Sequence, residues 1–264
     1  MTKLVFMHGL NTFKDDDLHL GPLRFGPMDS QLNRALMARG RSLFSPVGIG
    51  AGSPVEQATL VCSQLLALKD ETFYLLGHSI GGLVARALAH RPELKGRIKG
   101  VITFGTPHHG ANVAELGLTF ADRHPHLNRA LSASGYKTTA RKDIYAQFTC
   151  ERIEDFNRLH PQPSDIPHFS LICEARANQL GWPLRLSYRY LHPRSPGENR
   201  PASDGFIWSS AQHYGKSLGP FALDHFAETG FFFQLSQVRR IEAEKEFNRM
   251  VDVILDLTAS QEGA

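Results

Sequence analysis

Short unbroken apolar runs mark buried strands, and longer stretches with apolar residues three and four apart mark helices. Leu4 to Met7 is the first such run and predicts a strand. Residues 9–26, rich in glycine and acid, read as a loop. Asp29–Ala38 predicts a helix with Leu32, Leu36 and Met37 on one side. Ser42–Val47 predicts a second strand. Ser53-Pro54-Val55-Glu56 is a capping box with proline at the first helical position, so a helix is expected from there to about Lys69. Strands are expected at Thr72–Leu76, Ile98–Phe104 and Phe169–Cys173, and a helix at Ile80–His90. Phe206–Trp208 reads as a short strand at most. The last long helix starts near Ser236, with Val238, Ile241, Phe247, Val251, Ile254 and Leu255 at helical spacing. Apolar strands alternating with helices predict an α/β chain: a mostly parallel central sheet with helices on both faces.

The remaining composition narrows the class. The chain has 264 residues, 42% hydrophobic and 21% charged, which suits one large α/β domain over residues 1–264 and excludes a disordered or fibrous chain. Its 29 basic residues against 26 acidic ones give a net charge of +3, too weak a bias to argue for nucleic acid. The three cysteines, Cys62, Cys150 and Cys173, form no C-x-x-C pair and fit a reducing compartment. No apolar run approaches a membrane span, and the N-terminal run is too short for a signal-peptide core. The expected location is cytoplasmic. Residues 111–165 carry few strand signals and are expected to form a cap or lid insertion. There Leu116, Leu118, Phe120, Leu127 and Leu131 suit an acyl pocket and the cap's own core equally well.

Gly77-His78-Ser79-Ile80-Gly81 matches G-x-S-x-G where a strand ends and a helix begins, the setting of a nucleophile elbow. A serine hydroxyl is a poor nucleophile until a base, itself held by an acid, takes its proton. In elbow hydrolases the chain order is Ser, acid, His. That order leaves His225 and His213 as bases, with His225 preferred. It leaves Asp204, in Ser203-Asp204-Gly205, and Glu174, at a strand end, as acids, with Asp204 preferred. Asp224 is set aside because adjacent side chains rarely face each other. Two backbone N–H groups must bind the oxyanion. Ile80, directly after the serine, and Leu10, after the first strand in His8-Gly9-Leu10, are the candidates.

His8-Gly9, Gly77-His78-Ser79-Ile80-Gly81-Gly82 and Phe104-Gly105-Thr106-Pro107-His108-His109-Gly110, each following a strand, resemble the α/β-hydrolase superfamily. Within it they are similar to bacterial triacylglycerol lipases and to PGAP-type lipase-like serine esterases. Ser203-Asp204-Gly205 and Asp224-His225 continue the series. The resemblance covers residues 3–110 and 168–230 and is poor over 111–165 and 175–200. It implies an α/β-hydrolase fold and a carboxylic ester hydrolase with a Ser79–His225–Asp204 triad. It also implies a structural Ca²⁺ held by an aspartate two residues after the histidine, but Ala227 stands there.

No metal and no cofactor are therefore expected. Asp15-Asp16-Asp17 reads as a solvated acidic loop, and the adjacent His108 and His109 lack a third zinc ligand. The expected partner is a small-molecule or lipid ester. Contact of Arg185, Tyr188, Arg189, Tyr190 and Arg194 with a membrane surface is the less favoured reading. Thioesterase, acyltransferase or amidase chemistry on the same triad stays open, as does a non-catalytic binding protein of the same fold. The sequence leaves the oligomeric state open.

Overall fold

The computed structural model describes residues 2–9, 17–20, 23–48, 52–111, 114, 118–119, 122–123, 145–191 and 202–260. Its centre is a six-stranded sheet built from β1 (Lys3–Met7), β4 (Leu43–Phe44), β5 (Phe73–His78), β6 (Ile98–Phe104), β7 (His168–Cys173) and β8 (Lys216–Phe221). The spatial order is β4-β1-β5-β6-β7-β8, and every neighbouring pair is parallel. Two further strands, β2 (Asp17–Leu20) and β3 (Leu23–Pro27), pair antiparallel as a separate hairpin.

The apolar runs have no polar alternation because both faces of the sheet are covered. Along β5, Phe73 and Leu75 enter one core while Tyr74 and Leu76 enter the other. The first core is closed by α2 (Pro54–Ala67), α3 (Gly81–Ala89) and α4 (Cys150–Leu159). The second is closed by α1 (Ser30–Met37) and the long α6 (Gln237–Ser260). A short helix, α5 (Arg185–Leu191), follows β7. Helix α2 starts at the expected place: the Ser53 hydroxyl accepts from the Glu56 N–H and the Glu56 carboxylate accepts from the Ser53 N–H. The expected α/β-hydrolase architecture, a mostly parallel sheet between helical layers, is therefore what the chain forms.

Several local expectations need correction. The loop at 9–26 contains the β2–β3 hairpin, whose Leu18 packs with Met28 and Phe231. The strand at Ser42–Val47 shrinks to two residues. Met37 is 61% exposed because the buried stripe of α1 is Leu32 and Leu36, and a residue one step past Leu36 turns off it. Val238 and Ile241 are exposed too, since burial along α6 begins at Ala243. Phe206–Trp208 is part of a tight loop closed by a single Ser203–Trp208 bridge. Strand β8 was unforeseen; it lies at the sheet edge, where a proline is tolerated. Most of the expected cap at 111–165 lies outside the described residues before Tyr145, as do Leu116, Phe120, Leu127 and Leu131. Among the described residues no helix is long and apolar enough to cross a membrane.

Candidate active site

Strand β5 and helix α3 meet at Ser79, whose φ of +56° lies in the left-handed region that costs a side chain strain. The turn closes only because its flanks carry no Cβ. A Cβ on Gly77 would stand 2.4 Å from the Gly82 Cα, and one on Gly81 would stand 2.0 Å from the Met7 carbonyl oxygen. The Ser79 N–H donates to the Phe104 carbonyl, which fixes the elbow to β6.

Opposite the hydroxyl stands His225. Its Nε2 is 3.1 Å from Ser79 Oγ, and its Nδ1 is 2.9 Å from Asp204 Oδ2. His225 is buried, and Asp204 is fully so. Asp204 is held by its own loop. Its Oδ1 accepts from the Phe206 and Ile207 N–H groups at 2.7 and 2.6 Å, and its backbone carbonyl accepts from the His225 N–H. The Gln212 amide reaches Oδ2 at 3.4 Å. The Phe206 ring packs edge-on against His225. These contacts set the ring orientation and leave Nδ1 to donate to Asp204, so that Nε2 faces the serine as an acceptor.

The rival residues lie elsewhere. His213 is exposed, with Nδ1 on the Ser217 hydroxyl. Glu174 is contacted by the Ser209 hydroxyl at 3.3 Å. Asp224 is buried and organises the loop that carries His225: it accepts from the N–H groups of Gly181, Phe226 and Ala227 and from the Gln234 amide. Burial pushes its carboxyl up to about 6. Ile80 is buried where the chain turns into α3, next to Ser79. Gly9 lies against the serine, since a Cβ there would stand 2.8 Å from the Ser79 Cβ. Leu10 lies outside the described residues, as do Asp15 and Asp16, while Asp17 pairs with Arg24.

Two neighbours were missed. The Nε2–H of His78 donates to the His225 carbonyl at 3.0 Å. Glu228 is fully buried, with Oε2 3.1 Å from His78 Nε2 and 3.8 Å from His225 Nδ1. Its spacing of three from His225, in a stretch that turns helically at Ala227–Thr229, was the available signal. The donor atoms of His78, His225 and Glu228 lie within 4.8 Å of one another. They do not make a metal centre, because one nitrogen is committed to a backbone carbonyl and the other to Asp204.

The Gly105–Gly110 motif serves the surroundings. Gly105, at φ +55°, makes room for Glu228. His108 is fully buried, accepts from Arg86 Nη1 at Nδ1 and donates from Nε2 to Thr103 Oγ1. Arg86, also buried, donates to Asn157 Oδ1 and to the His160 carbonyl and stacks 3.6 Å over Tyr214. Burial lowers its pKa to about 10. His109 faces outward, as expected for a neighbour of a buried residue.

Fold and elbow together define an α/β-hydrolase. The chain belongs to the palmitoyl protein thioesterase family, whose model matches residues 4–154, more than half of it. No curated protein is significantly similar to it in sequence. Among solved structures it is similar to the Staphylococcus hyicus lipase, at 14% identity and a TM-score of 0.70 over 99% of this chain and 96% of that one. The mature Bacillus licheniformis lipase BlEst2 matches at 20% identity and a TM-score of 0.62, over 85% of each chain. The metagenomic carboxyl esterase MGS0156 matches at 19% identity and a TM-score of 0.65, over 94% of this chain and 76% of that one. At these identities the likeness is one of fold.

Proposed function

We propose that the protein is a serine hydrolase that cleaves carboxylic esters of small-molecule or lipid acyl groups, with Ser79 as nucleophile, His225 as general base and Asp204 as the acid that orients it. The observation that carries this reading is the chain of contacts from Ser79 Oγ to His225 Nε2 at 3.1 Å and from His225 Nδ1 to Asp204 Oδ2 at 2.9 Å, at a strained elbow. Ser79 Oγ attacks the acyl carbonyl as His225 takes its proton. Backbone N–H groups of Ile80 and Leu10 bind the oxyanion. The C–O bond to the alcohol then breaks, His225 returns the proton to the leaving oxygen, and the acyl-enzyme remains. Water activated by His225 then releases the acid. Asp204 keeps its negative charge and stabilises the imidazolium in both steps. No cofactor enters the scheme.

A second reading, thioester cleavage by the same steps, is favoured by the family to which residues 4–154 belong. The test is steady-state kinetics on a p-nitrophenyl ester series and on acyl thioesters of equal chain length, with Ser79→Ala as control. We expect oxyester turnover that falls by several orders of magnitude, on the order of 10⁶ in kcat, in Ser79→Ala. A kcat/KM consistently higher for thioesters replaces the first reading with the second. Near-wild-type turnover in folded Ser79→Ala ends both.

A further inference from the structure

Three carboxyl groups are buried around His225, and only two have a cradle. Asp204 accepts from two backbone N–H groups and His225, and Asp224 from three backbone N–H groups and an amide. Glu228 is as buried as either. It is faced by His78, His225, Asp204, Asp224 and the Cys173 thiol. Both nitrogens near it are committed, His78 Nε2–H to the His225 carbonyl and His225 Nδ1–H to Asp204. Among the described residues no lysine or arginine pairs with it. The guanidinium of Arg249, which acts on the Cys173 thiol, pairs with Glu246. An ionised carboxylate in such a place would lack compensation.

We propose that Glu228 is a positioning residue that works as a neutral carboxylic acid, filling the space behind His225 where neither of its oxygens has a hydrogen-bond partner. The inference rests on the assignment of His225 as base. Its chemistry is one of charge number. A second full negative charge 3.8 Å from Nδ1 would favour the imidazolium and withdraw the base from use at neutral pH. A protonated carboxyl fills the space beside the ring and holds it in place without adding charge. Burial, then the charge of Asp204, push the Glu228 carboxyl well above its ordinary range, in the direction the geometry requires. Gly105 belongs to the same arrangement, because only a residue without Cβ leaves room for the Glu228 oxygen.

The experiment compares wild type, Glu228→Gln and Glu228→Ala in two measurements. In pH–rate profiles, Glu228→Ala should lose tenfold or more in kcat. Glu228→Gln, neutral and nearly isosteric, should recover to within about threefold of wild type, with the acid limb of kcat/KM moved by less than about 0.3 pH unit. An acid limb displaced downward by one unit or more in Glu228→Gln shows that a negative charge was removed and overturns the proposal. Wild-type kinetics in Glu228→Ala overturn the positioning role.

The second measurement is thermal and needs no activity. A glutamate neutral when folded but ionised when unfolded binds more protons in the folded state, so its contribution falls as pH rises above about 4.5. Glu228→Gln removes that cost. Its Tm relative to wild type should therefore be higher at pH 7.5 than at pH 4.5 by at least a few degrees. Equal differences at the two pH values overturn the neutral assignment. Should Glu228→Ala fail to fold, the Gln profile and the Tm comparison decide. Ser79→Ala with undiminished turnover would end the hydrolase reading and leave the Tm result standing.

Discussion

Gly105 and Glu228 pack closely just beyond the end of β6: a Cβ on Gly105 would stand 2.0 Å from Glu228 Oε2 and 3.0 Å from His225 Nδ1. The glycine also holds φ at +55°, where an L side chain is strained. One residue of the Gly105–Gly110 motif thus secures the back of the candidate site. Gly105→Ala should lower stability by about 2–4 kcal/mol, from backbone strain of roughly 1–2 kcal/mol plus displacement of the buried carboxyl. Denaturant unfolding checks this. Wild-type stability in the variant would mean that Glu228 moves aside freely.

The two candidate acids separate by amide substitution. Asp204→Asn keeps its shape but offers an N–H where His225 Nδ1 needs an acceptor, which favours the wrong tautomer. The equivalent change in a serine protease costs about 10⁴ in kcat. Glu174→Gln touches only the Ser209 hydroxyl contact and should cost less than about threefold. Kinetics on one p-nitrophenyl ester decide. A crippling Glu174→Gln beside a mild Asp204→Asn would reassign the acid and leave Ser79 and His225 in place.

Acid should weaken the fold through a group of neutral histidines around Arg86. Burial holds His168 down at about 4, and His108 and His160 are lowered as well, each with Arg86 opposing its protonation. The unfolded chain therefore takes these protons first. The stabilisation is complete above about pH 6.5 and is lost as pH falls toward 4. Glu228 and Asp224, with raised values, act in the opposite sense, so the clean measurement is a difference between variant and wild type. Relative to wild type, His168→Gln should gain about 2–3 kcal/mol between pH 7 and pH 4. A difference that does not change with pH removes His168 from the acid response.

Chelation should leave both activity and Tm unchanged. Ala227 occupies the position of the expected calcium-binding aspartate; it is fully buried and its N–H donates to Asp224 Oδ1. The reading fails if EDTA causes a loss that Ca²⁺ alone restores.

Much of the architecture was readable because the strands buried on both faces are continuous apolar runs. β1 and β5 show this, β6 and β7 carry the buried Thr103 and Ser170 within their apolar stretches, and Ser53 and Glu56 marked the start of α2 with their own side chains. Strand β8 escaped because it is an edge strand: five of its six residues are not fully buried, and Gly219-Pro220 interrupts the pattern. The β2–β3 hairpin escaped because it pairs outside the main sheet and buries few side chains. In the site, Ser79 could be found from local spacing, and His225 and Asp204 from chain order. Glu228 stood three residues after His225, but that spacing alone did not single it out, because its role depends on contacts with His78 and Gly105, which lie more than 100 residues away in the chain. Met37 failed for a smaller reason: a helix of eight residues buries one narrow stripe, and two residues fill it.

Ala111 and Phe148 meet through a 2.9 Å backbone hydrogen bond, and Gly110 touches Cys150 so closely that a Cβ there would stand 2.6 Å from its Cα. The chain thus departs from the end of β6 and comes back at one narrow neck beside α4, which Arg86 fastens to α3 through Asn157 and the His160 carbonyl. Joining two points already held together costs little more for a long connection than for a short one, since closure entropy grows only with the logarithm of length. The neck is therefore a natural splice point. Because Ala114 and Tyr145 already pack with the first core, a change in the length of chain between them should leave the sheet, the elbow and the Arg86 fastening as they are.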